Sequence, residues 1–272
     1  MISYINYTQS PIACTGDIKI FDETAFTAMK AVCSLTSDCL DLLTDIVKPG
    51  ITTKEIDDFV FNYALKHNVL PATLNYRGYK YSSCTSVNHV VCHGMPSPKK
   101  LNEGDIINID VTFIQHGWHG DSSRMYPVGK VKPLAKNLMR TTYECLMKSI
   151  EVIKPGSTTN DIGAVIEAHA HYNRFSVVKD FCGHGVGQLF HDAPNILHYK
   201  AENNNIKLKS GMIFTIEPMI NVGKADVKIL SDGWTAVTKD KSLSAQYEHT
   251  IGITNTGCEI FTLSSKNLFY TE

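Results

Sequence analysis

Apolar residues recur at intervals of three and four from 22 to about 47 and again from 133 to about 153, the spacing that gives a helix one buried face. Each run stops at a Lys-Pro-Gly, residues 48–50 and 154–156, through which a helix does not continue. Thr52 with Glu55, and Thr158 with Asp161, then form capping-box patterns that open second helices, expected over about 53–67 and 159–172. Further on the period changes to two. Ile107, Ile109, Val111 and Phe113 alternate with Asn108, Asp110 and Thr112, as in a strand with one face on a core. Strands are expected over 85–92, 105–113 and 122–128, and in the second half over 212–220, 235–238, 246–253 and 259–261.

The same pattern occurs twice. VKPGITTKEI at 47–56 matches IKPGSTTNDI at 153–162 with an offset of 106, and KLNEGDIINID at 100–110 matches KLKSGMIFTIE at 207–217 with an offset of 107. Two matches in register mark a duplicated helix-then-strand unit. Helices and strands are segregated within each unit, so the expected class is α+β: antiparallel sheet covered on one face by helices, the other face free for a site.

The repeat sets Asp110 and Glu217 at equivalent strand positions, facing each other across an internal pseudo-twofold axis. Asp121, Glu248 and His184, the last in a Gly-His-Gly-Val-Gly run, are further candidates. Taken singly, an aspartate on a strand's polar face is most often solvated, and a histidine between glycines is most often a loop residue. Their combination changes the reading, because four converging carboxylates cannot all stay ionised without cations. Oxygen-rich ligands with one imidazole suit a pair of divalent first-row metals.

Composition narrows the class. Of 272 residues, 43% are hydrophobic and 19% charged, the balance of a folded globular chain. The 26 basic and 27 acidic residues leave a net charge of -1, with no global field to recruit nucleic acid or an anionic membrane. The first ten residues lack the basic and apolar regions of a secretory signal, and no apolar run approaches the length that spans a bilayer. Eight cysteines are scattered without framework spacing, which fits a reduced, cytoplasmic setting and no zinc finger.

Six motifs, Cys92–Pro96 (CHGMP), Asn108–Thr112 (NIDVT), His119–Ser122 (HGDS), Gly183–Gly187 with Phe190-His191, Thr215–Met219 (TIEPM) and Ser244–Thr250 (SAQYEHT), resemble in order and spacing the type I methionine aminopeptidases in their minimal, bacterial form. The resemblance runs from about residue 20 to 262. It implies the duplicated pita-bread fold, one catalytic domain over 1–272 built from halves at about 20–128 and 129–262, and removal of the initiator methionine from nascent polypeptides.

Carried over by position, the resemblance makes Asp110, Asp121, His184, Glu217 and Glu248 ligands of two divalent ions (manganese, iron, cobalt or zinc), with Asp121 and Glu248 bridging. Glu217 doubles as proton shuttle, and His93 and His191 bond the substrate peptide and the tetrahedral intermediate. Tyr76, Tyr79, Cys84, Phe190 and Trp234 take the positions that line the methionine pocket. A monovalent cation near Asn88, Val90 and Ser244 is also implied. Thr73, Gln188, Leu189 and Asp192 depart from the common bacterial pattern, which bears on fine specificity and inhibitor sensitivity. The expected state is a monomer in transient contact with the ribosome. Two rivals share the fold. Proline-specific peptidases and creatine amidinohydrolases form one, although such peptidases usually carry a further N-terminal domain. A non-enzymatic binding protein is the other, although such proteins typically lose ligands.

Overall fold

The computed structural model describes residues 2–202 and 205–270. Helices α1 (Glu23–Ile46), α2 (Thr53–Lys66), α3 (Pro133–Glu151) and α4 (Thr159–Tyr172) lie within two residues of the expected ranges. The duplication is visible in their ends. Thr52 N donates to Glu55 Oε2 at 2.8 Å, and Thr158 N to Asp161 Oδ2 at 2.7 Å. The glycine that ends each Lys-Pro-Gly takes a positive φ, 95° at Gly50 and 98° at Gly156, and isolated bridges Thr52–Lys100 and Thr158–Lys207 repeat across the halves.

Each half has its own core. Val32, Leu40 and Leu43 of α1 and Ile56 and Val60 of α2 pack on Ile107, Ile109, Val111 and Phe113, while Leu138, Leu146, Ile162 and Ile166 of α3 and α4 pack on Phe214, Ile216 and Ile220. The alternation read along 107–113 is therefore the division between core and site. The strand Ile106–Gln115 turns back through His116 and Gly117, both at positive φ, into Trp118–Pro127, and the pairing runs the full length from Ile106–Pro127 to Gln115–Trp118. The second strand of this hairpin starts four residues before the sequence expectation, because the tight turn carries pairing to Trp118.

Three expected strands are broken in two. The run 85–92 divides into Cys84–Val87 and Val90–Cys92 around Asn88, whose φ is 57° and whose side chain bonds Asp105 and the amide of Ile106. The run 212–220 divides into Ile213–Ile216 and Met219–Asn221 at Glu217-Pro218, where proline has no N–H to give a ladder. The run 246–253 divides into Ser244–Gln246 and His249–Ile253, because Glu248 N turns to Ser123 O of the other half at 3.0 Å. Short strands Tyr4–Asn6, Ile18–Ile20, Gly183–Gly185 and Asp192–Ile196 were not foreseen. The first two pair in parallel, against an otherwise antiparallel set. Among the described residues no helix is long and apolar enough to cross a membrane.

Candidate metal centre and substrate cavity

Asp110 and Asp121 come from the two arms of the first hairpin. Thr112, one alternation beyond Asp110, stands directly opposite Asp121 and donates its hydroxyl to Oδ1 at 2.6 Å. His184 is held at the middle of Gly183–Gly185, where its amide donates to Thr215 Oγ1 at 3.0 Å. Its Nδ1 lies 3.1 Å from Gly185 O, an arrangement that keeps the proton on Nδ1 and leaves Nε2 free to bind a cation. That Nε2 stands 3.7 Å from Asp121 Oδ2 and 3.6 Å from Glu217 Oε1.

Glu217 sits at one of the strand breaks. Thr215 donates to its Oε1 at 2.9 Å, Gln246 to its Oε2 at 3.2 Å, and its own amide donates to His198 Nε2 at 3.2 Å. Glu248 sits at another break, and three hydrogen bonds sew its strand to the first hairpin: Ser122 Oγ to Glu248 O at 2.7 Å, Glu248 N to Ser123 O at 3.0 Å, and Thr250 Oγ1 to Asp121 O at 2.7 Å. The cluster thus lies on the seam between the halves.

One donor atom from each of Asp121, His184 and Glu248 falls within 4.8 Å of the others. Asp110 joins them with its Oδ1 buried and without a hydrogen-bond partner. Burial and the repulsion of neighbouring carboxylates push Asp110, Glu217 and Glu248 well above the usual carboxylate range, and burial pushes Asp121 up to about 7. Burial likewise lowers His184 to about 4, so the imidazole is the neutral form that ligates. An orphaned carboxylate oxygen, four acids that repel one another and one neutral imidazole fit divalent cations.

These residues form the floor of a cavity of about 350 Å³, and every residue expected from the sequence to hold the divalent ions or touch substrate lines it, whereas Asn88, Val90 and Ser244 do not. Tyr79 donates to both Ser83 O and Gly94 O, at 3.0 and 3.1 Å, and stacks edge-on against Trp234 at 5.2 Å. Cys84 is paired with Asp110 across adjacent strands, and burial beside that carboxylate raises its thiol far above the ordinary value. Phe190 lies 4.9 Å from Tyr76 and stacks on His119 at 5.8 Å.

His93 has a φ of 55°, a strained value for a residue other than glycine, and the next residue explains why the turn persists. Gly94 crosses so close to Thr85 that a side chain there would collide with its carbonyl, and Thr85 N bonds Gly94 O at 2.7 Å. The imidazole of His93 stands between Phe181 and Trp234, at 5.5 and 6.1 Å, and burial lowers its pKa. His191 Nδ1 is 3.0 Å from the Tyr76 hydroxyl. One edge of His191 opens to solvent, yet burial of the ring against His184 and Phe190, with the Arg77 charge nearby, lowers its pKa and holds it neutral.

Thr73 also lines the cavity, whereas Gln188 and Leu189 do not, and Asp192 is turned towards Lys19, 2.7 Å away. Around the expected monovalent cation site, Ser244 N bonds Asn88 O at 2.8 Å, and Ser244 Oγ is buried without a partner. Sequence reasoning missed the polar supports Thr112, Thr215 and Gln246, each two residues from a carboxylate and so on the same strand face or across a break. It also missed Arg77, Asp180, Phe181, Cys182 and Met219 on the cavity wall.

A duplicated sheet whose open face carries buried carboxylates and an imidazole around a substrate-sized cavity defines a metallohydrolase. Comparison with known proteins narrows the class. The profile of metallopeptidase family M24 matches residues 27–255, and the chain belongs to that family. It is 53% identical over 255 residues to the methionine aminopeptidase of Rickettsia prowazekii, covering 93% of this chain and 98% of that one, and 47% identical over 237 residues to that of Escherichia coli K12, covering 86% and 90%. The crystal structure of the Rickettsia prowazekii enzyme superposes with a TM-score of 0.89, covering 90% of this chain and all of that one. The prolidase of Pyrococcus horikoshii, 20% identical, shares the fold with a TM-score of 0.72 over 64% of its length.

Proposed function

We propose that this chain is a metal-dependent aminopeptidase that removes the N-terminal methionine of peptides and nascent proteins whose second residue is small. The observation that carries the reading is one cavity in which a buried carboxylate–imidazole cluster forms the floor and Tyr79, Cys84, Phe190 and Trp234 form an apolar slot beside it. Family membership and close identity to methionine aminopeptidases support it.

Asp110, Asp121, His184, Glu217 and Glu248 would hold two divalent ions, with Asp121 and Glu248 shared between them. Bound there, such ions supply an activated water and a polarised scissile carbonyl near neutral pH. Glu217, fixed by Thr215 and Gln246, takes the proton of the attacking water and passes it to the departing amine. With Nδ1 accepting from Tyr76, His191 carries its proton on Nε2 and can donate to the substrate peptide, and His93, between Phe181 and Trp234, would bond the peptide as well. Manganese, iron, cobalt and zinc all suit the donor set. A monovalent cation beside Asn88, Val90 and Ser244, a monomeric state, a cytoplasmic setting, transient ribosome contact and no nucleic-acid binding complete the reading. The test is to load the purified protein with each metal in turn and assay Met-Ala-Ser. Release of methionine with about two bound ions is expected, and absence of cleavage with every metal would sink it.

A further inference from the structure

The inner cavity continues outward into a wider groove of about 940 Å³, and the two share Arg77, Cys182, His184 and His191 as walls. The far wall of the groove comes from the N-terminal segment, through Ile2, Cys14 and Gly16. That segment is fixed in place. Tyr4–Asn6 pairs with Ile18–Ile20, Tyr4 donates to Lys207 O at 2.7 Å, and the buried Lys19 ammonium bonds Asp192 at 2.7 Å and Ala13 O at 3.3 Å.

Arg77 stands at the junction of the two spaces. Asn75 and Arg77 both take positive φ, 67° and 48°, in a turn that lays the guanidinium over the Tyr76 ring at 5.3 Å. Among the described residues lining either space, Arg77 is the sole cation, and no carboxylate lies within ion-pair distance of it. Asp180 lines only the inner cavity, and the groove's carboxylate, Asp192, is already paired with Lys19. A chain leaving the inner cavity through this groove would pass the guanidinium, because Arg77 lines both spaces.

We propose that the outer groove carries the substrate chain beyond its second residue, and that Arg77 selects there for peptides bearing a carboxylate at residue three or four. The inference rests on the methionine-removing reading. Its ligand class is an acidic peptide segment.

The metal-loaded enzyme is assayed with amidated peptides Met-Ala-Ser-Gly, Met-Ala-Glu-Gly and Met-Ala-Lys-Gly, and with Met-Ala-Gly-Glu against Met-Ala-Gly-Lys. An exposed ion pair changes binding by a few fold, so kcat/KM for the glutamate peptide is expected to exceed that for the lysine peptide by about 5-fold at low salt, and less at high salt. Arg77→Gln should bring the ratio to about one, and Arg77→Glu should invert it. Because the ratio is read within one preparation, partial inactivation of a variant does not alter it. Equal rates for the acidic and basic peptides with the unaltered enzyme, or a preference that survives in Arg77→Gln, overturn the proposal. Failure to cleave any of the peptides overturns the activity itself, a different outcome.

Discussion

Thr112 and Asp121 face each other across the first hairpin, and the threonine hydroxyl holds one oxygen of the aspartate at 2.6 Å while the other points at His184. A ligand oriented in this way binds metal more tightly than one free to rotate. Thr112→Val keeps the strand and its volume but removes the donor. Metal affinity should fall by about 10-fold or more, with activity restored by excess metal. An unchanged dissociation constant would show that the hydroxyl does not orient the ligand.

Tyr76 and His191 make a similar pair on the substrate side. His93→Ala and His191→Ala should each lower kcat by about 10² with bound metal near the native level. Tyr76→Phe, which frees the His191 ring without removing it, should have a smaller effect in the same direction. Metal loss in step with activity, measured by elemental analysis, would place either histidine on the ions instead.

The raised carboxylates predict how the metal-free protein responds to pH. Above the ordinary carboxylate range, Asp110, Asp121, Glu217 and Glu248 keep protons in the folded state that the unfolded state has released, Asp121 up to about pH 7. These four groups therefore bind more protons in the folded state, and their contribution to stability is lost as pH rises through their raised folded-state values. Divalent metal displaces those protons, so adding it should flatten the trend and release acid. Calorimetry in buffers of different ionisation enthalpy reads the release, and metal binding without proton release at about pH 6, below the raised value of Asp121, would contradict the assignment.

Asp41 and Arg124 form a fully buried ion pair at 2.7 Å that ties α1 to the hairpin carrying Asp121. Ser264 donates to the other oxygen of Asp41, and Arg124 also reaches Leu268 O, so the pair pins the C-terminal segment as well. Asp41→Ala leaves a guanidinium without its counter-ion and should cost about 3–5 kcal/mol. Urea unfolding measures this, and a loss under about 1 kcal/mol would mean that the charge finds another partner.

On the methionine-removing reading, the second residue of the substrate would lie over the cluster, between His93 and His191. A large side chain there pushes the carbonyl off its attack position, and a displacement of about 1 Å can cost on the order of 10²-fold. Met-Gly, Met-Ala and Met-Ser peptides should be cleaved well, and Met-Lys, Met-Leu and Met-Glu poorly. Equal cleavage of Met-Ala-Ser and Met-Leu-Ser would show that the walls yield.

The parts of this fold that follow from periodicity were legible in the chain: four amphipathic helices, the capping boxes of α2 and α4, and the alternation that separates Ile109 from Asp110. The repeat made Asp110 and Glu217 equivalents before any contact was known. The breaks at Asn88, Glu217-Pro218 and Tyr247-Glu248 were not foreseen. Two depend on partners distant in sequence, Asp105 and Ile106 for Asn88 and Ser123 for Glu248, whereas the third carries a local signal in Pro218. Gly183–Gly185 is too short and glycine-rich to register as a strand until Phe214 and Asn195 pair with it. Arg77 left no signal because what sets it apart, the lack of a counter-charge on the walls it shares, appears only in the folded structure.

The seam through the cluster bears on how such a protein can be taken apart. Asp110 and Asp121 belong to one repeat and His184, Glu217 and Glu248 to the other, while the connection between repeats passes through the exposed turn at Gly129-Lys130. A chain cut at that turn would yield two fragments, each with a helix pair and sheet of its own and neither with a complete set of donors. Mixed together, they would regain the centre by reassembling along the seam, where hydrogen bonds join Ser122, Ser123 and Asp121 to Glu248 and Thr250 and Val90–Cys92 pairs with Ala236–Thr238. Recovered methionine release would then report fragment complementation, with hydrolysis as the signal that two polypeptides have met.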